Sequence, residues 1–465
     1  MLTRQFYRYV VIPAFETVYK RRKTLQYWKQ LERSQWWSPD QLQAEQFAAL
    51  QRLLRHAAEN CPYYRQLWAE RLLEVRDIQS PADFNRWPLL QREHVLEHRS
   101  ALRAEHGASP LISKATGGST GIPMHFDLDQ GSYERRNAAT FRGYGWAGAT
   151  PGTKQFYLWG APLDPQPASK IWKNRFYEAV QRRRVVNSFE LSEETVPRIL
   201  RSLNSYRPDV IVAYTNAVYH FARSLAERKE RPFSPQSIIV GAEKLHGFQR
   251  ELIESVFRAP VFETYGSREF MLMGAECSEH AGLHLTTEQL YLEIVNDDGT
   301  PTPAGEVGNV VVTDLYNYGM PFVRYASGDQ AVAGFSQCRC GRGLPLLHEV
   351  RGRKLDVLRT PDGRSLPGEF FPHLMKDYGW VRQFQVVQPA MDQLELRVVL
   401  GPTWNESDQA KLLQCVQQTV GPMVHITWQP VSEIPLTRAG KHRVVVSHVP
   451  DPASTEVAKR ASAQD

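Results

Sequence analysis

Thr116-Gly117-Gly118-Ser119-Thr120-Gly121-Ile122-Pro123 is the stretch of this chain best equipped for chemistry. Glycines at 117, 118 and 121, interleaved with hydroxyls, give a permissive backbone without bulky side chains. Such a loop turns successive N–H groups and hydroxyls toward an anion and so makes a phosphate nest. Pro123 and the alternation of Met124 to Leu128 predict a strand after the loop, so the loop joins two strands. No Gly-Lys-Ser/Thr follows, which excludes a Walker loop. Gly117 to Gly121 formally matches the Gly-x-Ser-x-Gly nucleophile elbow of hydrolases, but an elbow needs a helix directly after its serine. Read alone, the octet is a phosphate nest or a plain Gly/Ser turn.

Four other groups carry possible chemistry, and each alone also reads as an ordinary turn. In Tyr265-Gly266-Ser267-Arg268-Glu269 the ring can stack on a base, and Glu269 can hold a magnesium ion that bridges phosphate oxygens. In Arg324-Tyr325-Ala326-Ser327-Gly328-Asp329 the carboxylate suits a ribose diol, since two neighbouring hydroxyls match one bidentate acceptor. Gly241-Ala242-Glu243 follows the apolar Ile238-Ile239-Val240 and can line a purine with its backbone. In Thr437-Arg438-Ala439-Gly440-Lys441 a lysine on a glycine turn can neutralise charge that develops in a transition state, although most lysines are simply solvated.

Taken in order, the octet, Gly241-Ala242-Glu243, Tyr265 to Glu269, Arg324 to Asp329, Gly352-Arg353 and Gly440-Lys441 resemble the successive signatures of adenylate-forming enzymes. The chain is most similar to their phenylacetate–CoA ligase-like branch, which includes proteins of capsular polysaccharide biosynthesis, and the resemblance spans roughly residues 40 to 450. It implies that Thr116, Ser119, Thr120 and the glycines at 117, 118 and 121 hold the phosphates of ATP, and that Glu269 ligates Mg2+. It implies that Tyr265, with Gly266 and Ser267, packs at the adenine beside Gly241, Ala242 and Glu243, and that Asp329 and Arg353 bind the ribose. Lys441 would bridge the carboxylate and the α-phosphate; Lys441, Glu269 and Thr120 are the catalytic candidates. The implied reaction is carboxylic acid adenylation with pyrophosphate release, followed by acyl transfer to an acceptor, which is coenzyme A in a strict phenylacetate-type ligase. A relative that has lost activity would instead be a nucleotide-binding scaffold.

The chain departs from the family pattern at Ile122, where a lysine usually follows the last glycine, and at Leu355, where the hinge usually carries a charged residue. After Asp356, Thr360 to Arg364 forms a turn and no pantetheine-channel motif stands out. The acid pocket is expected around Trp159-Gly160, Tyr214-Thr215-Asn216 and Phe270-Met271.

The cysteines add a second chemistry. Cys338-Arg339-Cys340 in a glycine-rich turn, with Cys277 and His284, supplies three thiolates and an imidazole for a closed, structural Zn2+ site. His280, at Cys-x-x-His spacing, competes for the fourth place. Cys61 and Cys415 read as core residues.

Stepping outward, these groups need a scaffold. The 465 residues suffice for two or three domains, and 42% hydrophobic with 23% charged residues describes an ordinary globular protein. Five cysteines make no disulfide framework, no apolar run reaches membrane-spanning length, and Tyr9 to Pro13 is too short for a signal-peptide core. A cytoplasmic protein is expected, a monomer or homodimer, whose partners are a small carboxylic acid and an acyl acceptor. The net charge of +6 is modest, and the clusters Lys20 to Lys23 and Arg182 to Arg184 read as solvated faces, which argues against nucleic acid.

The fold class is α/β. Residues 1 to about 105 are patterned as helices; from 150 to 350 strands at Gln155 to Trp159, Val210 to Ala213, Ile238 to Gly241 and Val261 to Thr264 alternate with helices in a largely parallel sheet. Leu290 to Val295 and Gly308 to Thr313, joined at Asn296-Asp297-Asp298-Gly299, predict an antiparallel subdomain. The expected units are an N-terminal ATP- and acid-binding domain over 1–352, a small mobile α+β domain over 353–451 and a disordered tail over 452–465.

Overall fold

The computed structural model describes residues 2–106, 110–116, 124–160, 168–191, 194–351, 358–366, 370–375, 377–434 and 445–449. Residues 117–123, Arg353, Lys441, the expected hinge position Leu355 and residues 452–465 lie outside these, and with them the expected phosphate-binding residues Gly117, Gly118, Ser119, Thr120 and Gly121.

The N-terminal third is helical because its apolar residues recur every three or four positions. Helix Pro39–Asn60 shows the logic: Ser38 Oγ accepts from the Gln41 N–H at 3.2 Å, Gln41 Oε1 accepts from the Ser38 N–H at 3.1 Å, and Pro39 opens the first turn. Its Leu42, Ala49, Leu50, Leu53, Leu54 and Ala57 are buried. Most of them join a core with the antiparallel strands Leu290–Val295, Val307–Asp314 and Tyr325–Val332.

Among the described residues the main sheet has nine strands. Five are parallel, in the order Arg183–Asn187, Gln155–Trp159, Val210–Tyr214, Ser237–Gly241, Val261–Ser267. Met271–Ala275, Leu283–Leu285, Leu346–Leu347 and Phe335–Ser336 extend it antiparallel. Val210–Tyr214 and Ser237–Gly241 are buried throughout, as central parallel strands covered on both faces must be. Ile199, Leu203, Phe221, Ile253 and Phe257, from helices Val196–Tyr206, Thr215–Glu227 and Gly247–Phe257, cover one face. Ala147, Ala149 and Tyr144 cover part of the other.

The C-terminal part builds its own four-stranded sheet, in the order His425–Pro430, Gln393–Leu400, Val381–Ala390, Val445–Ser447, against helix Glu406–Val420. Asn405 caps that helix by accepting from the Asp408 N–H at 2.9 Å. Phe370, Phe371 and Leu412 of this part lie in the same buried cluster as Phe221 and Phe257 of the large domain.

Three expectations need correction. Strands Arg183–Asn187 and Val445–Ser447 have no counterpart in the sequence reading. Arg182, Arg183 and Arg184 are half-buried, not a solvated face: their guanidinium carbons sit 5.1, 5.0 and 4.5 Å from the rings of Tyr7, Tyr157 and Tyr206. The turn at Asn296 closes on Thr300, whose carbonyl accepts from the Asn296 N–H at 2.8 Å, but the chain runs on to Val307 before the next strand starts. Cys61 and Cys415 are buried as expected, and Thr360 to Arg364 forms a turn, with Gly363 at φ +79°.

Candidate active site and metal centre

In an open α/β sheet the carboxyl ends of the parallel strands form the binding edge. Here that edge carries Trp159, Tyr214, Gly241 and the 265–269 turn. The turn is tight: a Cβ on Gly266 would collide with the carbonyl oxygen of Met271, so only glycine permits the crossing. The Ser267 hydroxyl accepts from the Phe270 N–H at 3.3 Å and fixes the bend. Glu269 follows, buried, and its carboxylate makes no hydrogen bond among the described residues. Its backbone carbonyl accepts from Arg136, which in turn pairs with Asp314. Arg136 therefore positions Glu269. Its signal in the sequence, one of three arginines in a polar-looking helix (Gln130–Trp146), is too faint to read.

Tyr265 is largely buried, and its hydroxyl donates to Asp329 Oδ2 at 2.9 Å. Asp329 follows Gly328 (φ +81°), and its N–H donates to Ser327 Oγ at 3.2 Å. The two expected nucleotide contacts thus meet side by side. Close by, Gly241 lets the sheet approach, since a Cβ there would lie 2.6 Å from Thr264 Oγ1. Ala242 takes φ +69°, a turn for which a small side chain is cheapest. The Glu243 carboxylate accepts from the Asn216 N–H at 2.7 Å, at the positive end of helix Thr215–Glu227, and ties the loop to it. The rings of Trp159 and Tyr214 pack with centroids 4.2 Å apart, tilted by 41°. Phe270, expected in the acid pocket, belongs instead to the core.

Thr116 stands at the neck of the glycine loop. Its N–H donates to the Met124 carbonyl at 2.9 Å, and its Oγ1 accepts from Met124 N–H at 3.1 Å and from Arg92 at 3.3 Å. Arg268 Nε reaches the Ala115 carbonyl at 3.3 Å. Burial, then the charges of Arg268, Arg136 and Arg22, push the neighbouring Lys114 ammonium below its ordinary range. Positive charge is therefore concentrated around this neck.

Cys277, His284, Cys338 and Cys340 bring their ligand atoms within 4.8 Å of one another. The Cys277 and Cys338 sulfurs are 3.7 Å apart, too far for a disulfide and close to the spacing of about 3.8 Å that tetrahedral Zn–S bonds of ~2.3 Å require. His284 Nδ1 lies 3.3 Å from the Leu344 carbonyl, which can only accept, so Nδ1 carries the proton and Nε2 presents its lone pair to Cys340 at 3.3 Å. Burial drives the His284 pKa down to about 4 and the Cys277 thiol up to about 12. Burial also opposes the Cys340 thiolate, but hydrogen bonds from Arg342, Cys338 and Cys277 outweigh it and lower that thiol. A neutral imidazole and three clustered sulfurs fit zinc. His280 is not part of the cluster; its Nδ1 pairs with Glu276 at 3.2 Å and its ring packs on Phe262.

Residues 358–448 match the family described as CapK C-terminal domain. The chain is 25% identical over 440 residues to a phenylacetate-coenzyme A ligase of Thermus thermophilus, which covers 88% of this chain and 96% of the relative. It is likewise 25% identical to the Escherichia coli enzyme of that name, over 78% of this chain and 83% of that one. A crystal structure of a 2-hydroxyisobutyryl-CoA ligase has the same fold, with a TM-score of 0.59 at 20% identity, covering 90% of this chain and 92% of that one. The chain is similar to the adenylate-forming ligases, and within them the comparisons support the phenylacetate–CoA ligase-like branch. Of the residues that the branch's signatures pick out here, Thr116, Gly241, Ala242, Glu243, Tyr265, Gly266, Ser267, Glu269 and Asp329 are described, and Tyr265, Glu269 and Asp329 sit on one edge of the fold. Among the described residues no helix is long and apolar enough to cross a membrane.

Proposed function

We propose that this ligase activates a carboxylic acid with ATP, forming an acyl-adenylate and releasing pyrophosphate, and then passes the acyl group to an acceptor. The observation that carries the reading is the meeting of Tyr265 and Asp329 at the carboxyl edge of the sheet, beside the Gly241–Glu243 loop. In this account the Tyr265 ring bounds the adenine, Asp329 and Arg353 take the ribose hydroxyls, and Ser119, Thr120 and the glycines of the loop cradle the phosphates. Magnesium at Glu269 would supply charge neutralisation on the polyphosphate, and a buried carboxylate with no hydrogen bond among the described residues suits that role. Ile122 withholds the lysine that usually follows the last glycine; Lys114 and Arg268 at the neck make up the positive charge. Lys441 would bridge the attacking carboxylate oxygen and the α-phosphate. The carboxylate forms the new P–O bond as the bond to pyrophosphate breaks, and positioning plus charge neutralisation provide most of the rate. The zinc site, with four protein ligands and no open position, is structural.

In the first reading the acceptor is coenzyme A or a hydroxyl or amine, as in polysaccharide or secondary-metabolite synthesis. The curated relatives support the second reading, a strict acyl-CoA ligase. Either reaction suits a cytoplasmic enzyme. The deciding assay is pyrophosphate release from ATP and magnesium across a panel of carboxylic acids, with and without coenzyme A. Acid-dependent release supports adenylation. Faster turnover with coenzyme A selects the ligase reading, and indifference to it selects another acceptor. Absence of nucleotide binding by calorimetry would leave only a scaffold role.

A further inference from the structure

The apolar residues this fold leaves in water are not scattered. Residues 2–19 form one helical run, Leu2–Phe6, Tyr7–Val11 and Ala14–Tyr19, carried through Pro13 by π-helical turns. One side of it, Ile12, Phe15 and Glu16, is buried against the body. The outward side carries Phe6, Tyr9, Val10, Val18 and Tyr19, so this run presents apolar residues to water as well as to the body, unlike an ordinary surface helix. Helix Ala168–Val180 lies alongside, with Phe176 6.2 Å from Phe15 and 6.4 Å from Tyr19. It adds the exposed Ile171, Phe176 and Trp172, the last 72% exposed, as is Val18. Isolated exposed apolar residues need no explanation, but a contiguous patch does.

The patch is ringed by cations. Arg21, Lys23, Lys173 and Arg175 are exposed, and Lys20 and Arg22 are half-buried beside them. Residues 1–30 hold seven Lys or Arg against one acidic residue, and 168–185 hold six against one. That excess of eleven positive charges surpasses the whole chain's +6, so the remainder of the chain is net negative. The acidic residues of these two segments offer little compensation: Glu16 is buried 3.8 Å from Arg22, and Glu178 is half-buried. Exposed Trp, Tyr and Phe on a short helical face, rimmed by Lys and Arg, are the composition of an element lying in a lipid headgroup layer.

We propose that this face docks the enzyme on an anionic membrane surface, with Val18, Tyr19, Trp172 and Phe176 entering the headgroup layer and Arg21, Lys23, Lys173 and Arg175 meeting lipid phosphates. The inference needs no assumption about the reaction.

Flotation of the full-length protein with vesicles tests it. Vesicles of phosphatidylcholine with phosphatidylglycerol, at low salt, should carry the protein upward roughly tenfold more than phosphatidylcholine alone, and high salt should reverse this. Val18→Ser/Trp172→Ser and, separately, Arg21→Ser/Lys23→Ser/Arg175→Ser should each lower flotation about tenfold at unchanged far-ultraviolet circular dichroism. The proposal is overturned if the wild type stays at the bottom with anionic vesicles, or if both variants float like the wild type. It is overturned equally if the wild type ignores vesicles and sediments as a dimer that Trp172→Ser dissociates, which would make the face an interface between copies.

Discussion

The hydroxyl of Tyr265 donates to Asp329 Oδ2 at 2.9 Å across 64 residues of sequence. One hydrogen bond thus fixes the tilt of a ring and the orientation of a carboxylate, the two groups proposed for adenine and ribose. A hydrogen bond to a charged group contributes roughly 1.5–3 kcal/mol. Tyr265→Phe is therefore expected to raise the KM for ATP about tenfold with kcat nearly unchanged, because the carboxylate must be oriented at each binding event. An unchanged KM would separate the pair from nucleotide binding.

Arg136 bridges the Glu269 carbonyl and the Asp314 carboxylate inside the core. Arg136→Met strands a buried carboxylate and is expected to cost on the order of 3–5 kcal/mol in chemical denaturation. Adding Asp314→Leu should restore most of that stability, since an apolar pair of similar size replaces the ion pair. Activity should stay low in the double variant, as Glu269 still lacks its tether. Full activity in the stable double variant would remove Arg136 from the site.

The metal centre predicts its own composition. Protein purified without added metal should contain about one equivalent of zinc, absent from Cys338→Ser/Cys340→Ser, and that variant should melt at a lower temperature. Wild-type protein without metal would refute the centre.

A pH dependence follows from Glu263, which supports the purine-side loop by accepting from the Leu245 N–H at 3.2 Å. Burial raises its carboxyl from 4.5 to about 7, with Glu276 adding to the effect and the Leu245 N–H, Arg250 and Lys244 opposing it. A folded pKa above the unfolded one means the native state binds the extra proton. The stability linked to this group is complete below pH 4.5 and is lost as the pH rises through about 7. Glu263→Gln keeps the shape without the charge, so it should flatten this fall and gain on the order of 2 kcal/mol over wild type at pH 8 relative to pH 5. Parallel stability–pH curves for the two proteins would contradict the assignment.

Much of this was legible in the residues alone, for physical reasons. Strands such as Val210–Tyr214 announce themselves as apolar runs because both faces are covered, and Cys338-Arg339-Cys340 with Cys277 and His284 because thiols at that spacing have few other uses. Arg183–Asn187 was hidden because three arginines look like surface until tyrosine rings are there to receive them. Arg324 read only as the start of a motif; it is fully buried at φ +49° and paired with Glu293 at 2.9 Å, a partner 31 residues away that no local pattern reveals. Arg136 stayed silent for the same reason. Choosing between His280 and His284 required the fold, since both lie at ligand spacing and only the sheet pairing turns one toward the sulfurs.

The central claim is that the acid attacks the α-phosphorus of ATP. Its most direct test is a single-turnover reaction with α-phosphate-labelled ATP, magnesium and an acid that supports pyrophosphate release, quenched early and resolved for products. The account predicts an acid-dependent, AMP-containing mixed anhydride with pyrophosphate as its co-product, and its formation should fall by orders of magnitude in Lys441→Ala while ATP binding changes little. Formation of ADP and an acyl phosphate in place of the adenylate would contradict it.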